Sequence, residues 1–269
     1  MLKQRILTIA VAAPVFIALV LYSSTPIFSY AILLLLLPAA YEWARLSGLR
    51  SVAACACYAI LHAGLILLAM RLPLPESYRT WIYAAALCWW LVAGVWLIAY
   101  QRSRFVVRSR VLKLIIGLLT LLPPWFALTA IHAAPASGPR WVLLLFLLVW
   151  AADIGAYIAG KLYGRTKLAP AISPGKTLEG LAGGLIGAAI VVAIASFYFD
   201  SPVLPLTLLG IATAAFSVIG DLFESLMKRM ADVKDSGSLL PGHGGVLDRI
   251  DSMTIAAPLF ALGCFHWIV

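Results

Sequence analysis

Ten of the chain's 31 charged side chains (20 Lys and Arg, 11 Asp and Glu) fall in the 36 positions from Ser217 to Ser252: Asp221, Glu224, Lys228, Arg229, Asp232, Lys234, Asp235, Asp248, Arg249 and Asp251. Groups at this density either form a solvated, ion-paired loop or hold a cation and neutralise phosphate charge. Their spacing favours the second chemistry. On a helix, Asp221, Glu224, Ser225 and Lys228 stand at i, i+3, i+4 and i+7 and share one face. Asp248 and Asp251 are again three apart, at the expected start of the next apolar run, so Asp221, Asp248 and Asp251 are expected to converge from two helix ends. An all-oxygen set suits a hard cation, and Mg²⁺ commonly binds one or two carboxylates together with substrate phosphates. Between the two helices, Gly242, Gly244 and Gly245 can offer backbone N–H groups to phosphate oxygens, and Lys228, Arg229, Lys234 and Arg249 can balance the negative charge.

Two further segments carry polar groups into apolar surroundings. Asp153 and Tyr157 lie at i and i+4 in an otherwise apolar run. An acid there is costly unless paired, so it marks either a functional site or a structural hydrogen bond to a neighbouring helix. The segment Ser173-Pro-Gly-Lys-Thr177 ends like a phosphate-binding P-loop, but Pro170 stands where that motif needs its first glycine, and no strand is expected before it. Lys176, with Arg165 and Lys167, then contacts either substrate or anionic lipid headgroups.

The elements that position these groups follow from composition. Hydrophobic residues make up 63% of the 269-residue chain and the mean hydropathy is +1.00, values of a multi-spanning membrane protein. Apolar runs of spanning length occur at 6–22, 27–44, 52–70, 81–100, 112–133, 141–160, 178–199, 203–228 and 250–268. Lipid satisfies no backbone polar group and the runs lack barrel alternation, so the expected fold is all-α: a polytopic membrane helical bundle of about nine transmembrane helices. Placing the N-terminus in the cytoplasm puts 17 of the 20 Lys and Arg residues on the inner side, leaving only Arg71, Arg79 and Arg140 outside. The charged stretch then faces the cytosol. The net charge of +9 is explained by this loop asymmetry and does not call for a nucleic-acid partner.

Residues 1–140 read as transmembrane scaffold, and residues 141–269 as the catalytic region with a cytosolic loop at 229–247. Glu42, His62 and His132 of the first region are expected to be packed or interfacial polar residues. Lys3 and Arg5 before the run 6–22 are compatible with a signal peptide, but the run is long enough to span and is expected to remain as the first helix. Cys55, Cys57, Cys88 and Cys264 lie in apolar runs without metal-binding spacing and read as packing residues. Gly180, Gly183, Gly184 and Gly187 predict close packing of the seventh span against another helix or a second subunit.

The segments Ser225-Leu-Met-Lys228-Arg229, Lys234-Asp235-Ser-Gly237 and Leu240-Pro241-Gly-His243-Gly244-Gly245-Val-Leu-Asp248-Arg249-Ile-Asp251 resemble the signature of the phosphatidate cytidylyltransferase (CDP-diacylglycerol synthase) family, over 27 residues. The regions around Asp153–Gly164 and Ser173–Gly180 are similar to that family too, while residues 1–140 match it only in general character. The resemblance implies a cytidylyl transfer from CTP to phosphatidic acid, giving CDP-diacylglycerol and pyrophosphate, in a multi-pass protein of the cell membrane with its site on the cytoplasmic side. It implies Mg²⁺ and a second cation on Asp221, Asp248 and Asp251. Catalytic roles fall to Asp221, Lys228, Arg229, Asp248 and Arg249; substrate binding falls to Ser225, Lys234, Asp235, His243, Gly244, Gly245, Asp153 and Lys176. His243 is placed in loop geometry or phosphate contact, because an anionic phosphate monoester needs no strong base. A homodimer is also implied.

Two other readings stay open on sequence. A polyprenol or phytol kinase would use CTP as phosphoryl donor and release CDP. An ion-coupled transporter would spread its acids through the membrane depth, whereas here they gather toward one side.

Overall fold

In the computed structural model, residues 13–72, 76–135, 137–199, 203–239 and 244–267 are described. The expected helical bundle is present, with ten helices and one hairpin among these residues. Helix α1 covers Ala13–Tyr22, and the first part of the expected run 6–22 lies outside the described residues. There follow α2 (Thr25–Leu46), α3 (Val52–Arg71), α4 (Glu76–Ser103), α5 (Arg110–His132), α6 (Gly138–Tyr163), β1 (Lys167–Ala169), β2 (Ser173–Thr177), α7 (Leu178–Ser196), α8 (Val203–Met230), α9 (Leu247–Ile250) and α10 (Met253–Trp267). Seven of these, α2 to α8, are long and apolar enough to cross a membrane. The protein is a polytopic helical membrane protein.

Two boundaries differ from the sequence reading. A helix does begin near Asp248, but it does not run on as the last span: α9 ends at Ile250, and α10 begins at Met253 after a turn. Local hydrogen bonds explain the break. The Ser252 N–H donates to Asp251 Oδ1 at 2.8 Å and the Thr254 hydroxyl donates to the Asp251 carbonyl, so short polar side chains compete with helix continuation. The segment 167–177, expected to be a loop, forms a small antiparallel hairpin in which Lys167 faces Thr177 and Ala169 faces Ser173. Three- and five-residue strands containing Pro174 and Gly175 leave no alternation to read.

Helix α10 is apolar all round and lies in the centre of the bundle, with Ile255, Ala256, Ala257, Phe260, Ala261 and Cys264 fully buried. Helices α6 and α7 form the tightest pair. A methyl group at Gly155 or Gly187 would run into the backbone carbonyl of Gly183 or Ala151, so these positions let the two backbones touch. The glycines of α7 are thus used within the chain. Phe223 on α8 sits in an aromatic box, its ring centroid 5.6 Å from those of Trp89, Trp90 and Trp96 and 6.2 Å from that of Trp43. Anchoring this buried side of α8 fixes the rotation of the helix, and with it the direction in which Asp221 and Glu224 point.

His132 and His62 are packed polar residues, as expected. His132 stacks on Phe28 and bonds Thr25 Oγ1 and the Val20 carbonyl, each at 3.0 Å, and His62 lies 3.0 Å from the Tyr58 carbonyl. All four cysteines are free.

Candidate active site

The charged face of α8 meets two partners at two heights. Lower in the helix, Asp221 Oδ2 is 2.6 Å from Lys176 Nζ on β2. Ser225 Oγ lies 3.4 Å from Asp221 Oδ1, a long contact. Glu224 stands one turn above Asp221, its Oε2 2.5 Å from Lys228 Nζ, which is also 2.6 Å from Asp248 Oδ1 on α9. Asp251 lies within electrostatic reach of Asp221, Lys176 and Asp153, and acts on Glu224 as well.

The lower group opens into a cavity of about 330 Å³ between α6, α7, α8 and the hairpin. Its wall is mostly apolar, from Ala156, Gly160, Leu181, Gly184 and Val218 among others, with Asp153, Lys176 and Asp221 as its charged groups. The hairpin that carries Lys176 is tied at several points. Glu179 accepts the backbone N–H groups of Arg165 and Thr166 at 3.0 and 3.1 Å, Thr177 Oγ1 caps α7 by accepting from Gly180 N at 3.0 Å, and Arg229 Nε donates to the Ile172 carbonyl at 3.0 Å. From α4, Gln101 donates to the Leu168 carbonyl and accepts from Ala171 N, both at 3.2 Å.

The upper group is closed. The Asp248 carboxylate accepts from Gly245 N at 2.8 Å and from Ser236 N at 3.1 Å and lies 3.0 Å from Ser236 Oγ, besides its Lys228 partner. Burial alone would raise its pKa; the hydrogen bonds it receives, with the Lys228 charge, bring it down to about 2. It is therefore a fixed anion. Gly244, at φ +83°, supplies the left-handed turn that aims the Gly245 amide at this carboxylate.

Of the residues singled out by sequence, Asp153, Lys176, Asp221, Ser225 and Asp251 are brought together around the lower group, and Lys228, Asp248, Gly244 and Gly245 around the upper one. The charge of Arg249 acts on Asp153. Arg229 faces the hairpin instead of the acids, and Lys234 and Asp235 are exposed on the segment leading to Ser236. His243 lies outside the described residues. Three participants were not foreseen: Glu42, which reaches Ser236, Val246 and Leu247 from α2, and Gln101 and Glu179, which hold the hairpin.

Among the described residues no group of three or more His, Cys, Asp or Glu side chains is gathered to hold a metal by protein ligands alone. Chemically, the donors still fit a hard divalent cation. Asp221 and Asp251 offer carboxylate oxygens only, and Mg²⁺ completes its shell with water and phosphate oxygens.

The chain is similar to known proteins over nearly its whole length. A profile of the Cytidylyltransferase family matches residues 3–267. A phosphatidate cytidylyltransferase of Pseudomonas aeruginosa is 40% identical over 97% of this chain and 96% of its own length. Proteins of the same name from Staphylococcus haemolyticus and Bacillus subtilis are each 34% identical, covering 96% and 98% of this chain and 97% and 98% of their own lengths.

Proposed function

The chain belongs to the cytidylyltransferase family and transfers the cytidylyl group of CTP to phosphatidic acid, giving CDP-diacylglycerol and pyrophosphate; we propose that it does so where the α6–α7–α8 cavity meets the charged face of α8. The observation that carries this placement is the Lys176–Asp221 pair at the end of a mostly apolar cavity. Apolar walls suit acyl chains, and an ammonium group beside them suits the lipid phosphate.

The reaction asks little covalent chemistry of the protein. An oxygen of the phosphatidate phosphate attacks the α-phosphorus of CTP, the bond to the bridging oxygen breaks, and pyrophosphate leaves with that electron pair. The attacking oxygen is already anionic near neutral pH, so the work is alignment and charge neutralisation. Lys176 orients the lipid phosphate, exchanging its Asp221 partner for it. Asp221 and Asp251 would hold Mg²⁺ and a second cation, with Asp248 reaching them through Oδ1, the oxygen that faces Lys228, and the cations would supply charge to offset the triphosphate. Lys228 and Arg249 add positive charge, and the Gly244–Gly245 turn, whose Gly245 amide holds Asp248, brings that carboxylate to the phosphate path. Lys234, Asp235, Ser225 and Asp153 complete the substrate contacts, and Arg229 serves through the hairpin it holds.

The site lies on the cytoplasmic side of the cell membrane in this proposal, supported by the distribution of Lys and Arg between alternate loops. CTP is cytosolic and phosphatidate keeps its phosphate at the interface, so this position reaches both. A homodimer rests on the family resemblance alone, since α6 takes up the α7 glycines. The test is to incubate purified protein with CTP, Mg²⁺ and phosphatidate and to follow pyrophosphate and the lipid product. Pyrophosphate with CDP-diacylglycerol is expected; CDP with a phosphorylated lipid would point to a kinase, and no turnover would reject the assignment.

A further inference from the structure

Glu42 is a charged residue on α2, far from the signature in sequence, yet only 5% exposed. Its carboxylate is satisfied almost wholly by the segment that carries Asp248. Oε1 accepts from Val246 N at 3.1 Å, and Oε2 accepts from Leu247 N at 2.8 Å and lies 3.0 Å from Ser236 Oγ. Ser236 Oγ also lies 3.0 Å from Asp248 Oδ2, so one hydroxyl stands between the two carboxylates, and its single proton serves one of them at a time. The fit is close: a methyl group at Gly237 or Gly245 would collide with the Glu42 carboxylate, which gives a physical reason for glycine at both positions. The turn that aims the Gly245 amide at Asp248 therefore has its other side built on a side chain from the N-terminal region.

We propose that Glu42 is a positioning residue for cytidylyl transfer, setting the Gly244–Asp248 turn through two backbone amides and the Ser236 hydroxyl. The inference rests on the proposed role of that turn in holding the CTP phosphates and their cation. A carboxylate is needed because it accepts on both oxygens at once. An amide of the same size must turn its NH₂ toward the Val246 or the Leu247 N–H, leaving a buried donor unpaired and twisting the turn.

The experiment uses the full-length protein in detergent. Glu42→Gln and Ser236→Ala are compared with wild type for kcat, for KM toward phosphatidate, for Mg²⁺-CTP affinity measured by direct titration without lipid, and for folded fraction. Per folded molecule, Glu42→Gln is expected to lower kcat and weaken Mg²⁺-CTP binding by about tenfold or more, with KM for phosphatidate unchanged because none of the described residues of this segment lines the lipid cavity. Ser236→Ala, which leaves the two backbone bonds of Glu42 in place, is expected to move the same two quantities by less, and it carries the test if Glu42→Gln does not fold. A purely structural role predicts a lower folded fraction with wild-type kcat and Mg²⁺-CTP affinity in the folded molecules. That result, in either variant that folds, overturns the proposal. Wild-type protein that makes no CDP-diacylglycerol but still loses Mg²⁺-CTP affinity on Glu42→Gln would reject the proposed function and keep the role of Glu42 in the turn.

Discussion

Two lysine–carboxylate groups sit one turn apart on α8, and they differ in exposure. In the lower group, the side chains of Lys176 and Asp221 are 24% and 31% exposed, and both line a cavity. In the upper group, Lys228 is 14% exposed and its partners Glu224 and Asp248 only 3% and 8%. An ion pair open to a cavity exchanges partners at low cost, whereas a closed pair surrounded by backbone amides holds its geometry. The comparison assigns exchange with substrate to the lower group and the fixing of the 244–248 turn to the upper one.

The largest effect is expected from removing the upper lysine. Lys228→Met leaves Glu224 and Asp248 buried with their shared cation gone, a change of about 3–5 kcal/mol in stability. Thermal unfolding in detergent should therefore show a marked drop, together with loss of turnover. If Lys228→Met melts like wild type, the two groups do not differ in the way their burial indicates.

Asp221→Asn tests the other side of the comparison. Turnover should fall by about 100-fold or more, in the range seen when one preorganised electrostatic group is removed. The half-buried pair it belongs to opens on a cavity and contributes about 1 kcal/mol, so the melting temperature should move little. Near-normal rates would take Asp221 out of the site. Lys176→Ala should follow the same pattern with a smaller loss, about tenfold, appearing in KM for phosphatidate rather than in the melting temperature. An equal effect on CTP affinity would place Lys176 on the nucleotide instead of the lipid.

What sequence made legible follows from the range of each interaction. The α8 ladder and the Asp153–Tyr157 pair are set by helical spacing, so their positions were readable from neighbours three and four residues away. Glu42 was not, because its partners are Ser236, Val246 and Leu247, some 194 to 205 residues distant. On sequence alone it is one acid at the end of an apolar run, and the expectation of a packed polar residue is correct about its burial but silent about its purpose. The turn at Asp251 was hidden because Asp251 and Ser252 interrupt the apolar run that starts at Ile250 only briefly. The mutual placement of Asp248 and Asp221 was not readable either, since it depends on which side chains reach Lys228 first.

Gln101 gives the finest test of the comparison, because it acts on the open group from outside it. Its side-chain amide holds both ends of the β1–β2 turn, donating to the Leu168 carbonyl and accepting from Ala171 N. Arg104 donates to the Ala171 carbonyl at 3.2 Å and Arg229 to that of Ile172, so the turn keeps two other tethers when Gln101 is lost. Gln101→Ala should then loosen the hairpin without releasing it. Two neutral hydrogen bonds are worth about 1 kcal/mol each at most sites, and part of that is recovered from water at this interfacial position. The expected outcome is a rise of about two- to fourfold in KM for phosphatidate, with kcat and Mg²⁺-CTP affinity as in wild type. Lys176 is the one charged residue that the hairpin brings to the cavity, so the effect should vanish in a Lys176→Ala background. If the two substitutions are instead additive, the hairpin serves the site through something other than Lys176.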